Sequence, residues 1–171
     1  ASPTYLVDPN APIGIHKLFP KVKVIASLRN PTDRAISHYY HQVKRVKNEK
    51  RSIEEAFSDR ELEKITSNQA SATKHYIQNG LYAQHLENWF QIFPREQLLI
   101  LNYHELETNP DEFVKAVFAF LELQDFVPTN IEKIYANQYS QPPLEVKQRL
   151  DEYFKPYNQT LDKLLNVEFR W

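Results

Sequence analysis

The chain has 171 residues, 42% apolar and 25% charged, with a net charge of −1, the balance of an ordinary globular domain large enough to bury a core. No apolar run approaches the eighteen or so residues of a membrane helix, and the opening residues lack a signal-peptide pattern. The absence of cysteine excludes a disulfide framework, a thiolate zinc site and a cysteine nucleophile. Only Gly14 and Gly80 are glycines, where average usage would give about twelve. No glycine-rich phosphate loop of Rossmann or Walker type therefore lies within these residues. Methionine is absent even at position 1, so the chain reads as part of a longer protein.

In chain order, the proline-rich opening ASPTYLVDPNAP reads as loop, and Ile13 to Phe19 as a short helix stopped by Pro20. Val22 to Leu28 is short, apolar and rich in β-branched residues, and predicts a largely buried strand. It breaks off at Arg29-Asn30-Pro31. Asn30 suits an N-cap, Pro31 the first helical position and Asp33 the third, so a helix is expected from Pro31 to about Lys47. Ser52 and Glu55 have the spacing of a capping box, and Leu62 to Lys74 reads as helix interrupted near Ser67 and Asn68.

Beyond Gly80, Tyr82, Leu86, Trp89, Phe90 and Phe93 recur at helical spacing up to Pro94. Leu98 to Leu101 predicts a second buried strand. Asn109 and Pro110 open a helix whose apolar face is Phe113, Val114, Val117, Phe118 and Leu121. Helices are expected over 129–135, 143–154 and about 157–165. Short apolar strands among helices imply an α/β fold with a parallel sheet flanked by helices. Two strands make an incomplete sheet, so the missing strands are expected upstream of Ala1.

Charge is uneven. Residues 1–50 hold nine Lys/Arg against three Asp/Glu, and residues 51–171 twelve against nineteen. The near-neutral total argues against a protein that wraps nucleic acid, while the basic first third suits a compact anion. The bunched Lys44, Arg45, Lys47, Lys50 and Arg51 read as a solvated helix end.

Arg29 stands where open α/β sheets place ligands, at the carboxyl end of a strand. Its guanidinium can clamp a phosphate through two parallel hydrogen bonds, and Ser37, two turns into the helix, can add a hydroxyl. The alternative is that Arg29 pairs with a carboxylate such as Asp33 and that Ser37 is a packing residue. A salt bridge is the expectation for Arg34, and a core position for Tyr39 and Tyr40. His38 and His41 are three apart on one helix, but no third ligand lies at recognisable spacing, so no metal site is expected. Glu105 in NYHEL reads as a turn cap.

The run VKVIASLRNPTDRAISHYYHQV resembles the 3'-phosphate-binding segment of the PAPS-dependent sulfotransferases (PAPS is 3'-phosphoadenosine 5'-phosphosulfate), in particular the carbohydrate, heparan-type and related bacterial branch. The segment GLYAQHLENWFQIFPREQLLILNYHELETNP resembles the family's next region, with Glu105-Leu106 in its acidic-Leu position. The resemblance implies a P-loop NTPase-like sulfotransferase fold, with residues 1–171 forming the C-terminal portion of a single domain that lacks the 5'-phosphosulfate loop. It also implies PAPS as donor, PAP as product, and a 3'-phosphate held by Arg29 and Ser37. Lys133, Tyr135 and Asn137 are weaker nucleotide-binding candidates in the region of the family's closing loop. Some carbohydrate members place a catalytic Lys where Ala1 stands here, and the general base is expected upstream.

The implied reaction is sulfuryl transfer to a hydroxyl of a small-molecule or carbohydrate acceptor, with no nucleic-acid polymer or membrane as partner, in a bacterial, cytoplasmic setting. The isolated chain is expected to be inactive. The alternative is a truncated, non-catalytic module that binds a nucleotide or a partner. A nucleotide kinase or NTPase of related topology would need Walker residues, and a purely helical interaction protein would not have the two strands.

Overall fold

In the computed structural model, which describes residues 4–66, 75–124, 141–169 and 171, the two expected strands form and pair. β1 (Val24–Leu28) lies parallel to β2 (Leu98–Asn102), in register from Val24 opposite Leu98 to Leu28 opposite Asn102. Parallel strands cannot be joined by a tight turn, and the chain between these two supplies a long, mostly helical crossover. The fold class is α/β, as the strand–helix order predicts.

The chain divides into two compact units, 1–30 with 84–136 and 170–171, and 31–83 with 137–169. The first holds both strands, α1 (Thr4–Val7), α2 (Ala11–Leu18), most of α6 (Tyr82–Phe90), α7 (Tyr103–Thr108) and α8 (Pro110–Leu121). Its core gathers Trp89, Phe93 and Leu98, with Leu6, Ala11, Ile15, Val22 and Val24 packed around them. The Trp89 indole N–H donates to the Leu6 carbonyl at 3.2 Å. The Gln97 amide donates to the carbonyls of Pro20 and Val22 at 3.0 and 2.9 Å, tying the approach to β1 to the approach to β2. Lys23 bonds the Phe120 carbonyl at 2.6 Å and the Glu122 carboxylate at 2.8 Å, capping the C-terminus of α8.

The second unit contains α3 (Pro31–His41), a π-helical turn (Gln42–Val46), α4 (Ile53–Ala56), α5 (Asp59–Thr66) and α9 (Leu144–Leu165). Ala35, Ile36 and Tyr39 from α3 meet Phe57, Leu62, Tyr76, Ile77 and, from α9, Val146, Leu150 and Phe154. Fully burying each large apolar side chain of this kind contributes about 1.5–3 kcal/mol. The Ser52–Glu55 capping box forms in both directions, with Ser52 Oγ accepting at 3.2 Å and Glu55 accepting from the Ser52 N–H at 2.7 Å. Gly80 is required by close approach: a Cβ there would stand 3.0 Å from the Phe154 ring and 3.1 Å from Pro31.

Several expectations are corrected. The opening stretch is not all loop, because α1 and α2 start within it. Pro12 falls in the first turn of α2, where its missing N–H costs nothing, and Leu6, Ala11 and Ile15 gain cover from the tryptophan cluster. β1 is half-covered rather than largely buried: Val24, Ala26 and Leu28 turn one way while Ile25 and Ser27 are exposed. Among the described residues β1 has a hydrogen-bonded neighbour on one side only, so alternation governs its burial.

The helix from Pro31 is α-helical only to His41. It continues as the π-helical turn and stops at Lys47, which takes the left-handed conformation with φ 57°. The two expected C-terminal helices are one, α9, with Pro156 inside it. A proline there removes one backbone bond and typically costs about 3 kcal/mol. Phe154 on one side and Leu161 on the other are both buried and hold the helix together. The apolar face of α8 is only half-covered, with no buried residue. The helix expected over 129–135 lies outside the described residues.

Candidate functional site

Arg29 leaves the carboxyl end of β1 one residue beyond the Leu28–Asn102 pair, and is half-buried. The register brings the start of α7 to the same end of the sheet. There Asn102, itself buried, caps α7 by accepting from the His104 N–H at 3.0 Å. His104 and Glu105 are exposed on the first turn of this helix, so NYHEL forms a helix of its own rather than a capped turn. Within the first unit, then, the carboxyl edge of the sheet presents Arg29 beside a helix opening.

Ser37 lies in the second unit, half-exposed on α3. Its neighbours fix that helix firmly: Thr32, Ala35, Ile36 and Tyr39 are buried. Arg34 donates to the backbone carbonyl of Tyr76. That bond uses the guanidinium as a brace between α3 and the Tyr76 segment. The Tyr39 hydroxyl donates to the Arg51 carbonyl at 2.8 Å, and Tyr40 packs at the margin of the same core. Tyr39 and Tyr40 thus take the core positions predicted for them.

His38 packs edge-on against the Tyr76 ring, with centroids 4.9 Å apart. Its Nε2 lies 3.1 Å from the Gln42 amide nitrogen, which makes Nε2 the acceptor and places the proton on Nδ1. Nδ1 is buried and has no hydrogen-bond partner. Burial, then the nearby Arg34, His41 and His75, lower the His38 pKa to about 4, so its ring is neutral at neutral pH.

The sequence reading missed one polar centre. Glu49 is buried, and its carboxylate accepts from the Lys50 N–H at 3.0 Å, the Arg51 N–H at 3.1 Å, the Arg51 side chain at 3.1 and 2.8 Å, and the Tyr76 hydroxyl at 2.9 Å. Burial alone would raise its pKa, but these donors outweigh that and hold the carboxyl well below the usual range. Arg51 also reaches Glu61 at 3.1 Å. Arg51 is therefore no part of a solvated face, unlike the exposed Lys44, Arg45, Lys47 and Lys50. Nothing in the local pattern around Glu49 announces this, because Tyr76 comes from 27 positions away.

Lys133, Tyr135 and Asn137 lie outside the described residues, as does the rest of the expected closing loop. Among the described residues, no three His, Asp or Glu side chains gather into a cation site, and no helix is long and apolar enough to cross a membrane.

Comparison with known proteins gives one consistent result. The family profile described as the sulfotransferase domain matches residues 11–161. Heparan sulfate glucosamine 3-O-sulfotransferase 6 of Mus musculus is 27% identical over 204 residues, covering 99% of this chain and 55% of its own length. Bifunctional heparan sulfate N-deacetylase/N-sulfotransferase 2 of Homo sapiens is 33% identical over 132 residues, or 74% of this chain and 14% of its own length. Among solved structures, a sulfotransferase from Alicyclobacillus acidocaldarius superposes with a TM-score of 0.76 at 29% identity, covering 96% of this chain and 63% of that one. The chain thus spans about half the length, or less, of the curated relatives it matches.

Proposed function

The chain belongs to the sulfotransferase domain family, and from that premise we propose that the whole protein transfers a sulfuryl group from PAPS to a hydroxyl of a carbohydrate-type acceptor. Residues 1–171 would be the C-terminal portion of one such domain. The observation that carries the reading is the strand–turn–helix at 24–41, in which β1 stops at Leu28, Arg29 and Asn30 form the turn, and α3 with Ser37 follows at Pro31. The same run carries the sequence resemblance. The relatives named for heparan sulfate support the carbohydrate acceptor.

In this reading Arg29 and Ser37 each bind the 3'-phosphate of the nucleotide. Arg29 fits the role chemically, as a half-buried guanidinium at the carboxyl end of a parallel strand. When bound, the donor supplies an activated sulfuryl group. Arg29 holds a phosphate that does not react, so its binding energy serves to orient the donor. Lys133, Tyr135 and Asn137 remain proposed nucleotide contacts, and the acceptor's base belongs to residues outside 1–171.

The test is calorimetric titration of PAP into this chain and into the complete gene product, each with and without Arg29→Ala. Loss of a charged, partly buried hydrogen-bonded contact should weaken PAP by about 2–4 kcal/mol, roughly 30- to 1,000-fold. Equal affinity in wild type and variant would overturn the assignment of Arg29. Absence of PAP binding by the complete protein would leave the non-catalytic, partner-binding alternative.

A further inference from the structure

We propose that Arg34 and Tyr39 are positioning residues for Ser37: a closed circuit of hydrogen bonds, starting and ending on α3, fixes how that helix presents the Ser37 hydroxyl to the 3'-phosphate. The inference rests on the reading of Ser37 as a phosphate contact and deepens it.

The circuit can be followed atom by atom within the second unit. The Arg34 guanidinium donates to the Tyr76 carbonyl, and the Tyr76 hydroxyl donates to Glu49 Oε2 at 2.9 Å. Glu49 also accepts from the Arg51 side chain at 3.1 and 2.8 Å and from the Arg51 backbone N–H at 3.1 Å. The Arg51 carbonyl in turn accepts from the Tyr39 hydroxyl at 2.8 Å, which brings the series of bonds back to α3. Its two points of attachment, Arg34 and Tyr39, lie on either side of Ser37 in the sequence.

Ser37 depends on such support. Among the described residues its hydroxyl has no hydrogen bond of its own, so its place is set by the helix that carries it. Ala35, Ile36 and the Tyr39 ring seat α3 in the core, but apolar contact is non-directional and tolerates a small rotation or slip. Hydrogen bonds weaken steeply off their axis. Two of them, attached more than one turn apart on the same helix, therefore fix both its rotation and its slip.

The face of α3 that carries Ser37 is the face held in this way. Arg34, Ser37 and His38 share it at helical spacing. Arg34 bonds the Tyr76 carbonyl, and His38 packs edge-on against the Tyr76 ring with centroids 4.9 Å apart. Both neighbours of Ser37 on that face thus bear on one residue, which Glu49 secures from behind. A binding group supported by locked neighbours keeps its geometry, and a looser one loses much of its contact.

The test is a double-mutant cycle on the complete gene product. PAP and adenosine 5'-monophosphate, which lacks the 3'-phosphate, are each titrated by calorimetry well below every thermal transition. Tyr39→Phe removes one attachment and keeps the ring, and Arg34→Gln removes the other. Each should weaken PAP at least about threefold, near the low end of coupling within one hydrogen-bond network, and leave the monophosphate within about twofold of wild type. Placed on Ser37→Ala, each should change PAP affinity by less than about twofold, because the group through which they act is gone. A merely structural role would lower the thermal transition and leave the ratio of PAP to monophosphate affinity untouched. If Arg34→Gln does not fold, Tyr39→Phe decides by itself. An unchanged ratio in Tyr39→Phe, or an undiminished loss on the Ser37→Ala background, overturns the proposal. Wild type that binds PAP no more tightly than the monophosphate would instead overturn the 3'-phosphate reading itself, and the proposal with it.

Discussion

Replacing Glu49 with alanine should destabilise the second unit more than any surface charge change in the chain. The carboxylate has 2% side-chain exposure and a bidentate contact with Arg51. Removing one member of a buried, hydrogen-bonded pair typically costs about 3–5 kcal/mol. Here the lower end applies, because Arg51 keeps its contact with Glu61 and a third of its side chain reaches water. Against this, the buried Tyr76 hydroxyl and two backbone N–H groups lose their acceptor, at about 1–3 kcal/mol for each group left dry. The expected loss is at least about 3 kcal/mol, or a fall of at least roughly 6–12 °C in Tm for a chain of this size.

Glu49→Gln separates charge from shape. It keeps one oxygen but turns an amide N–H₂ toward donors, so it should recover only a minority of the loss. The pH dependence has a definite sign. Glu49 is held well below its unfolded value, so its contribution is complete above the unfolded pKa near 4.3 and fades as pH falls through the depressed folded value. Circular-dichroism melts of the three proteins at pH 7 and pH 4 measure both effects. A Glu49→Ala protein within about 0.5 kcal/mol of wild type at pH 7 would refute the reasoning, since that is the range of an ordinary surface substitution.

Other outcomes follow from the same unit. His38 is neutral when folded, with its pKa lowered to about 4. The unfolded chain takes up the proton first, so stability is complete above about pH 6.5 and is lost toward pH 4, by at most about 3 kcal/mol. His38→Phe keeps the ring against Tyr76 and should flatten the stability profile between those pH values; an unchanged slope in denaturant titrations would point to another group. Gly80→Ala would place a methyl 3.0 Å from the fully buried Phe154 ring. Overpacking should cost about 1–3 kcal/mol, and a urea midpoint equal to or above that of wild type would show that the ring can yield.

Features carried by neighbouring residues were legible in the sequence. The Ser52–Glu55 box and the Pro31 helix start depend on side chains within four positions of one another, and both form where the spacing places them. The two strands were recoverable for a related reason, because short apolar runs bounded by turn residues have few other uses. What escaped depends on partners far along the chain. Continuity through Pro156 rests on Phe154 and Leu161 finding a core, as does the formation of α1 and α2 against Trp89. Ile25 is exposed despite its apolar setting because burial of a strand depends on what lies across it, which a run of five residues does not encode.

The candidate site divides along the same line. Arg29 and Ser37 come from one contiguous motif, and the sequence places them at a strand end and on the following helix, where they are found. The basic run from Lys44 to Arg51 shows the limit. Its five cations are alike in composition, yet four face water and the fifth turns in to a carboxylate two residues before it. That choice is made by Tyr76 and by Glu61, which converge on the same pair. Sign and number of charges can be counted from a sequence, but which of them remain available to a ligand is decided by tertiary contacts.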